Sequence, residues 1–236
     1  MISEQGSAIC SQPACWSRVG HGEPPQKFEL QAIVAIKDSA LYGYEYLYRG
    51  MVRPTTSAGW TLVDHALVSY LGEEVTAGQQ CARFVNLSHE SLLAIPDRDL
   101  IAAAARNDMR YEVSEAIADD RMFALVCEKV NRLSAMGLDF VVDDFGAGLD
   151  GNRRLYSLDR VSAVKVDREL LIAASQRSAA AGMLKASVRH WNETGITTIA
   201  EGVESPALLK FSEEMGFQLA QGYHLDKLAL GETLYF

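Results

Sequence analysis

The chain has 236 residues, 48% hydrophobic and 22% charged, which is enough for one large core and fits a single globular domain. Its formal net charge of -9 excludes a protein that coats duplex nucleic acid through a basic stripe. No apolar run approaches the roughly 20 residues needed to span a bilayer, so no membrane association is expected. An acidic chain can still act on a phosphate ester where metal ions supply the local positive charge. Met1-Ile2-Ser3-Glu4-Gln5 has neither the basic start nor the apolar segment of a signal peptide, and the expected location is the cytoplasm. Cys10, Cys15, Cys81 and Cys127 form no metal-type spacing with a second pair. Cys10 and Cys15 with His21 would still lack a fourth zinc ligand, so free thiols are expected.

Residues 1–27 are rich in Ser, Gly, Gln and Pro without periodicity and read as a loosely ordered lead-in to a domain over 28–236. Residues 28–36 and 41–48 are β-type runs joined by Lys37-Asp38-Ser39-Ala40, which predicts an antiparallel pair. Trp60, Val63, Leu67, Val68 and Leu71 follow at helical spacing and close at Gly72. Strand and helix then alternate. Strands are expected at 83–87, 110–113, 138–142, 161–166, 196–200 and 217–220. Helices are expected over 89–106 with a break at Pro96, over 119–136, in a long stretch to about 193, and over 206–215. Eight strands in this pattern predict an α/β fold, a (β/α)8 TIM-like barrel with an antiparallel first strand pair.

Chemistry in such barrels sits at the C-terminal strand ends. The run from Leu138 ends in Asp143 and Asp144, and two ionised carboxylates side by side call for a cation or a shared proton. Glu45, Asn86, Glu112, Asp167 and Glu201 also fall where short β-like runs stop, and hard oxygen donors gathered there suit Mg²⁺ or Mn²⁺. Each signal has a plainer counterpart. Glu45 and Arg49 share a strand face and fit either a cation and a phosphate or a surface salt bridge. Asn86 fits a neutral ligand or a helix cap, and Glu112 with Glu115 fits a ligand and a loop tether or two exposed acids.

Taken together, an ordered set carries more weight. Gln31-Ala32-Ile33-Val34, Glu45-Tyr46-Leu47-Tyr48-Arg49, Val85-Asn86-Leu87-Ser88, Glu112-Val113-Ser114-Glu115, Asp143-Asp144-Phe145-Gly146-Ala147-Gly148, Val164-Lys165-Val166-Asp167, Ala200-Glu201-Gly202-Val203-Glu204 and Gln221-Gly222-Tyr223 occur in that order. They resemble the signature motifs of the EAL-domain family of cyclic di-GMP phosphodiesterases. The resemblance implies hydrolysis of one phosphodiester of cyclic di-GMP to linear 5'-pGpG, assisted by two Mg²⁺ or Mn²⁺ ions per site. That activity lowers a second messenger acting on biofilm and motility.

By the same resemblance Glu45, Asn86, Glu112 and Asp143 match metal ligands, and Asp144 and Asp167 match ligands at a second metal. Glu45, Lys165 and Glu201 match catalytic positions, the last two orienting or activating the attacking water. Gln31, Leu47, Arg49, Asp144, Glu204 and Gln221 match substrate-contacting positions, and Glu115 a loop tether. The plainer reading of Lys165 is a salt bridge at the barrel mouth with Asp143 or Asp167. A homodimer is also implied. The alternative is an inactive or weakly active member that serves as a cyclic di-GMP receptor or a protein-binding regulator.

The chain departs from the family pattern in places. Tyr46 and Gly50 stand where Ala and usually Trp are found, and alternation on a strand points Tyr46 away from Glu45. After Gly148 the family continues with an aromatic and two serines, in a loop that couples the metal site to a dimer interface. Here Leu149-Asp150-Gly151-Asn152-Arg153-Arg154 follows, one residue longer before Lys165, and Gly151 is expected to make this loop more mobile. The tail ends at Phe236, and a final helix is expected to be missing.

Overall fold

A computed structural model describes residues 28–73, 81–114, 119–148 and 151–229. Eight strands close into one barrel in sequence order: β1 (Phe28–Ala35), β2 (Leu41–Tyr48), β3 (Ala82–Leu87), β4 (Met109–Val113), β5 (Asp139–Phe145), β6 (Ala163–Val166), β7 (Thr197–Ala200) and β8 (Leu219–Gln221). β1 runs antiparallel to both neighbours, β2 and β8, and every other adjacent pair is parallel. The expected (β/α)8 barrel with an antiparallel first pair is the observed fold.

The helices form where apolar spacing and caps coincide. α1 (Ser57–Glu73) buries Val63, Leu67, Val68 and Leu71 on one face. Pro96 separates α2 (His89–Ala94) from α3 (Asp97–Arg106), because it lacks the N–H a continuing helix would need. α4 (Asp120–Ala135) begins where the Asp119 carboxylate accepts the Met122 N–H. The long stretch after β6 is two helices, α6 (Arg168–Gln176) and α7 (Ser178–Glu193), parted at Arg177, whose backbone is extended. α8 (Pro206–Met215) is capped by Ser205, which accepts the Leu208 N–H. Two helices fall outside the sequence expectation. The segment after Gly148, expected as a mobile loop, contains α5 (Gly151–Ser157), and β8 leads into α9 (Tyr223–Ala229). The lead-in, the tail beyond 229, Glu115, Cys10 and Cys15 lie outside the described residues. Cys127 is a free thiol.

Strand alternation sorts the core into two layers. Outward-facing Val34, Val85, Leu87, Tyr111, Val113, Val142, Val164, Val166 and Ala200 pack against the helices, and Tyr46 joins this outer cluster as alternation predicts. The inward set is smaller: Ile33, Ala82, Phe84, Val141, Ala163, Ile199 and Leu219 fill the barrel. This plug excludes water below the mouth and fixes the height at which the next inward side chains stand.

α1 also carries a buried acid. Asp64 accepts hydrogen bonds from the Ser91 hydroxyl and the Ser88 N–H, yet burial dominates and raises its pKa from 3.8 to about 6. The folded protein therefore holds this proton to higher pH than the unfolded chain does. The group costs stability increasingly as pH rises from about 4 to 6, and by a constant amount above that. Asp64→Asn should remove that part of the pH slope. It should raise unfolding free energy near pH 7.5 by up to about 3 kcal/mol, with little change near pH 4. Urea titrations of both proteins at the two pH values measure it.

Candidate active site

Directly above the apolar plug, each strand, or for β7 the residue just after it, places one polar side chain toward the barrel axis. Relative to Phe84, Val141, Ala163, Ile199 and Leu219, the positions two residues on are Asn86, Asp143, Lys165, Glu201 and Gln221. On antiparallel β1 the equivalent step runs backwards, from Ile33 to Gln31. Glu45 on β2 and Glu112 on β4 complete the ring. The period-2 pleat thus turns residues spread from 31 to 221 into one polar layer.

Lys165 is the hub. Its Nζ, 1% exposed as a side chain, lies 3.1 Å from Glu45 Oε2, 2.9 Å from Glu112 Oε1, 3.0 Å from Asp143 Oδ1 and 2.9 Å from Glu201 Oε1. Burial by itself would lower the lysine pKa, but the charges of Asp143, Glu112, Glu201 and Glu45 together hold it well above its usual value. The ammonium is therefore permanent. The salt-bridge reading of Lys165 is correct for Asp143, and the structure adds three more acids.

One ammonium does not balance four carboxylates. Burial raises Glu112 well above the usual carboxylate range; the Glu45 and Asp143 charges add to this and Lys165 opposes it. Glu201 is raised for the same reason, burial first, with Lys165 opposing and Asp143, Glu45 and Asp144 adding. Glu112 is fully buried, and its Oε2 has no hydrogen-bond partner among the described residues. An orphaned carboxylate oxygen in an excess of buried negative charge fits a bound cation.

The donor set fits one as well. Oxygens of Asp143, Asp144 and Glu201 lie within 4.8 Å of one another, the spacing of carboxylates that share an ion. Asp144 reaches this group through a left-handed backbone, φ 48°, at a register shift between Val142 and Phe145. That bulge lets two consecutive residues serve one site. Asn86 joins through its amide, which donates to Asp143 Oδ2 at 3.2 Å. The Gln221 amide donates to Glu45 and, at 2.8 Å, to Gln31 Oε1, while Gln31 donates to Asp226 at 3.3 Å. This relay holds the Glu45 carboxylate from behind.

Above the ring lies a pocket of about 240 Å³ lined by Gln31, Leu47, Asp144, Asp167, Glu201, Glu204 and Gln221, all singled out in the sequence, together with Arg168, Gly202, Gly222 and Tyr223. At Gly222, with φ 153°, a Cβ would lie 2.5 Å from Val203 N, so glycine alone lets the loop after Glu201 close against β8. Two candidates stand differently from expectation. Asp167 lines the pocket but spends Oδ1 capping α6, accepting from Glu169 N at 2.8 Å and Leu170 N at 3.4 Å. Arg49 lies one residue beyond β2, does not line the pocket, and pairs with Glu29 at 2.7 Å. Glu204 is exposed and pairs with Arg168 at 3.0 Å. Arg168 went unnoticed in the sequence, although it directly follows the Val164-Lys165-Val166-Asp167 motif.

Fold and site together define a (β/α)8 barrel with a cluster of acids around one lysine at its mouth. The EAL domain family model matches residues 61–227, and the chain belongs to that family. Gln31 and Glu45 precede the matched span, so their place at the site rests on the closure of β1 and β2 onto the barrel. Among relatives, the chain is 35% identical over 96 residues to the cyclic di-GMP phosphodiesterase NbdA of Pseudomonas aeruginosa, covering 40% of this chain and 12% of that protein. It is 32% identical over 96 residues to the cyclic di-GMP phosphodiesterase RocR of the same organism, covering 41% and 24%. The match thus spans less than a quarter of either relative's length. Among solved structures, Klebsiella pneumoniae BlrP1 in a manganese and cyclic di-GMP complex superposes with a TM-score of 0.69 at 27% identity, covering 86% of this chain and 55% of that one.

Proposed function

We propose that the chain hydrolyses cyclic di-GMP to linear 5'-pGpG with the help of Mg²⁺ or Mn²⁺ ions, two per barrel. The observation that carries this reading is the ring of Glu45, Glu112, Asp143 and Glu201 around Lys165, with excess negative charge below a pocket open to solvent. Relatives named as cyclic di-GMP phosphodiesterases and a manganese-bound structural neighbour supply the substrate and the ion class. A bound divalent cation would neutralise a phosphodiester and lower the pKa of a water beside it.

Each residue then has its part. Glu45, Asn86, Glu112, Asp143, Asp144 and Asp167 are the candidate ligands. Lys165 holds four acids at fixed spacing and places a positive charge where the attacked phosphate gains negative charge. Glu201, whose proton affinity burial raises, takes the proton of the attacking water. Gln31, Leu47, Glu204 and Gln221 line the wall against which the nucleotide rests, with Arg49 at the rim. Glu115 is the candidate tether for the loop after Gly148. The same reading includes a homodimer, a cytoplasmic location and control of biofilm and motility. Among the described residues no helix is long and apolar enough to cross a membrane.

The test is direct. Purified protein with Mn²⁺ should convert cyclic di-GMP to pGpG, identified by mass and retention time, and EDTA should stop the reaction. Binding of cyclic di-GMP with no product under conditions where RocR turns over would replace catalysis with a receptor role.

A further inference from the structure

The segment that departs from the family pattern supplies the largest fully buried side chain of the described residues, an arginine. Arg154 on α5 is 0% exposed, whereas arginine is almost never fully buried unless its charge is engaged. Its Nη1 donates to two main-chain carbonyls, Val113 O at 2.9 Å and Asp143 O at 2.6 Å. These belong to adjacent strand ends. Val113 follows Glu112, and Asp143 is itself one of the acids facing Lys165.

The position of these carbonyls matters. β4 and β5 pair in parallel through Glu112↔Val141 and Val113↔Val142, where the register ends. Immediately beyond, β5 shifts register against β6 and Asp144 adopts φ 48°. The backbone that bears Asp143 and Asp144 has therefore left the ladder on one side, and its carbonyl needs another donor. One guanidinium nitrogen bridges the two strands at that point, where a lysine ammonium on a flexible stem would hold the pair less rigidly.

We propose that Arg154 is a positioning residue for the metal-binding acids: by tying Val113 O to Asp143 O it fixes the separation of the Glu112 and Asp143 carboxylates and stabilises the bulge that presents Asp144. The proposal rests on the reading of this mouth as a divalent metal site. It predicts that Arg154 governs metal affinity without touching metal or substrate, as partners behind ligating groups do.

Mn²⁺ binding, followed by loss of the free-ion electron paramagnetic resonance signal, reads this without substrate. Arg154→Gln should weaken Mn²⁺ binding by about 10–100-fold, and Arg154→Lys, which keeps a buried cation and one carbonyl bond, by a smaller factor. Lys129→Gln is the comparison. Lys129 is also buried and its ammonium donates to Ile95 O at 2.5 Å, but it serves the α2–α3 junction. It should lose thermal stability while Mn²⁺ affinity stays within twofold of the parent. Should Arg154→Gln fail to fold, the lysine variant carries the test. Parent-like Mn²⁺ affinity in a folded Arg154 variant, or an equal affinity loss in Lys129→Gln, overturns the proposal while leaving the metal site intact. Absence of Mn²⁺ binding by the parent protein overturns the functional reading itself.

Discussion

Asp143→Asn should yield a folded barrel in which the proposed cyclic di-GMP cleavage falls by ~10³-fold or more in kcat/KM, equivalent to about 4 kcal/mol of transition-state stabilisation. Asp143 stands where the two arrangements of the site overlap. It faces Lys165 Nζ at 3.0 Å, and it belongs to the acid group with Asp144 and Glu201 whose oxygens lie within 4.8 Å. Asparagine has the same shape and keeps the backbone carbonyl that Arg154 holds, so the strand end stays in place. Only the charge goes.

Two consequences separate this variant from a merely misfolded one. Asp143 is among the charges that raise Glu112 and Glu201, so its neutralisation lets both acids ionise at lower pH. The metal-free barrel should then match or exceed the parent's melting temperature, as expected where a site held together at some cost to stability is relaxed. Mn²⁺ should no longer raise that temperature appreciably, since ligand stabilisation scales with affinity. Turnover within tenfold of the parent would remove Asp143 from the metal site, and a large drop in metal-free stability would make it structural.

The elements that positioned the site were readable because their physics is local. Eight runs of β-branched and aromatic residues alternating with amphipathic stretches specify a barrel, and acids at the ends of buried strands stand out against an apolar background. The layering was there too. Ala163-Val164-Lys165-Val166 and Leu219-Ala220-Gln221 repeat the same in-out step, so the inward polar ring follows from registering each polar residue two positions beyond an apolar one.

What the sequence hid depends on contacts between distant segments. Alternation placed Arg49 on the Glu45 face, but β2 ends at Tyr48, the rule lapses there, and Glu29 across the antiparallel pair takes the guanidinium at 2.7 Å. The apolar run marks β5 only as far as Val142, where the aspartates begin, but the strand continues to Phe145 through a bulge. Arg154 gave no signal, since a seven-residue helix has no readable periodicity and an arginine is by default a surface residue.

Lys165→Met should abolish turnover and, unlike Asp143→Asn, should destabilise the metal-free barrel in a pH-dependent way. Methionine fills the volume of the stem but leaves Glu45, Glu112, Asp143 and Glu201 facing one another with no cation between them. Breaking a buried ion cluster by removing one partner costs about 3–5 kcal/mol while the remaining charges stay ionised. Glu112 and Glu201 already bind protons more tightly in the folded state, and loss of the ammonium, which opposes that shift in both, raises them further. A carboxyl whose folded pKa lies above its unfolded value binds more protons in the native state, so stability falls as pH rises from the unfolded value toward the folded one. The variant should therefore lie close to the parent at pH 5 and acquire most of its melting temperature deficit between pH 5 and 8. In the parent, Lys165 keeps its charge across this whole window, because its folded pKa is raised and its loss of charge comes only above the ordinary lysine range, so the pH dependence of the difference comes from the acids. Added Mn²⁺ should restore part of the lost stability at pH 8 by supplying positive charge to the same acids, without restoring cleavage. An equal melting deficit at both pH values would mean that the lysine stem, rather than its charge, holds these strand ends together.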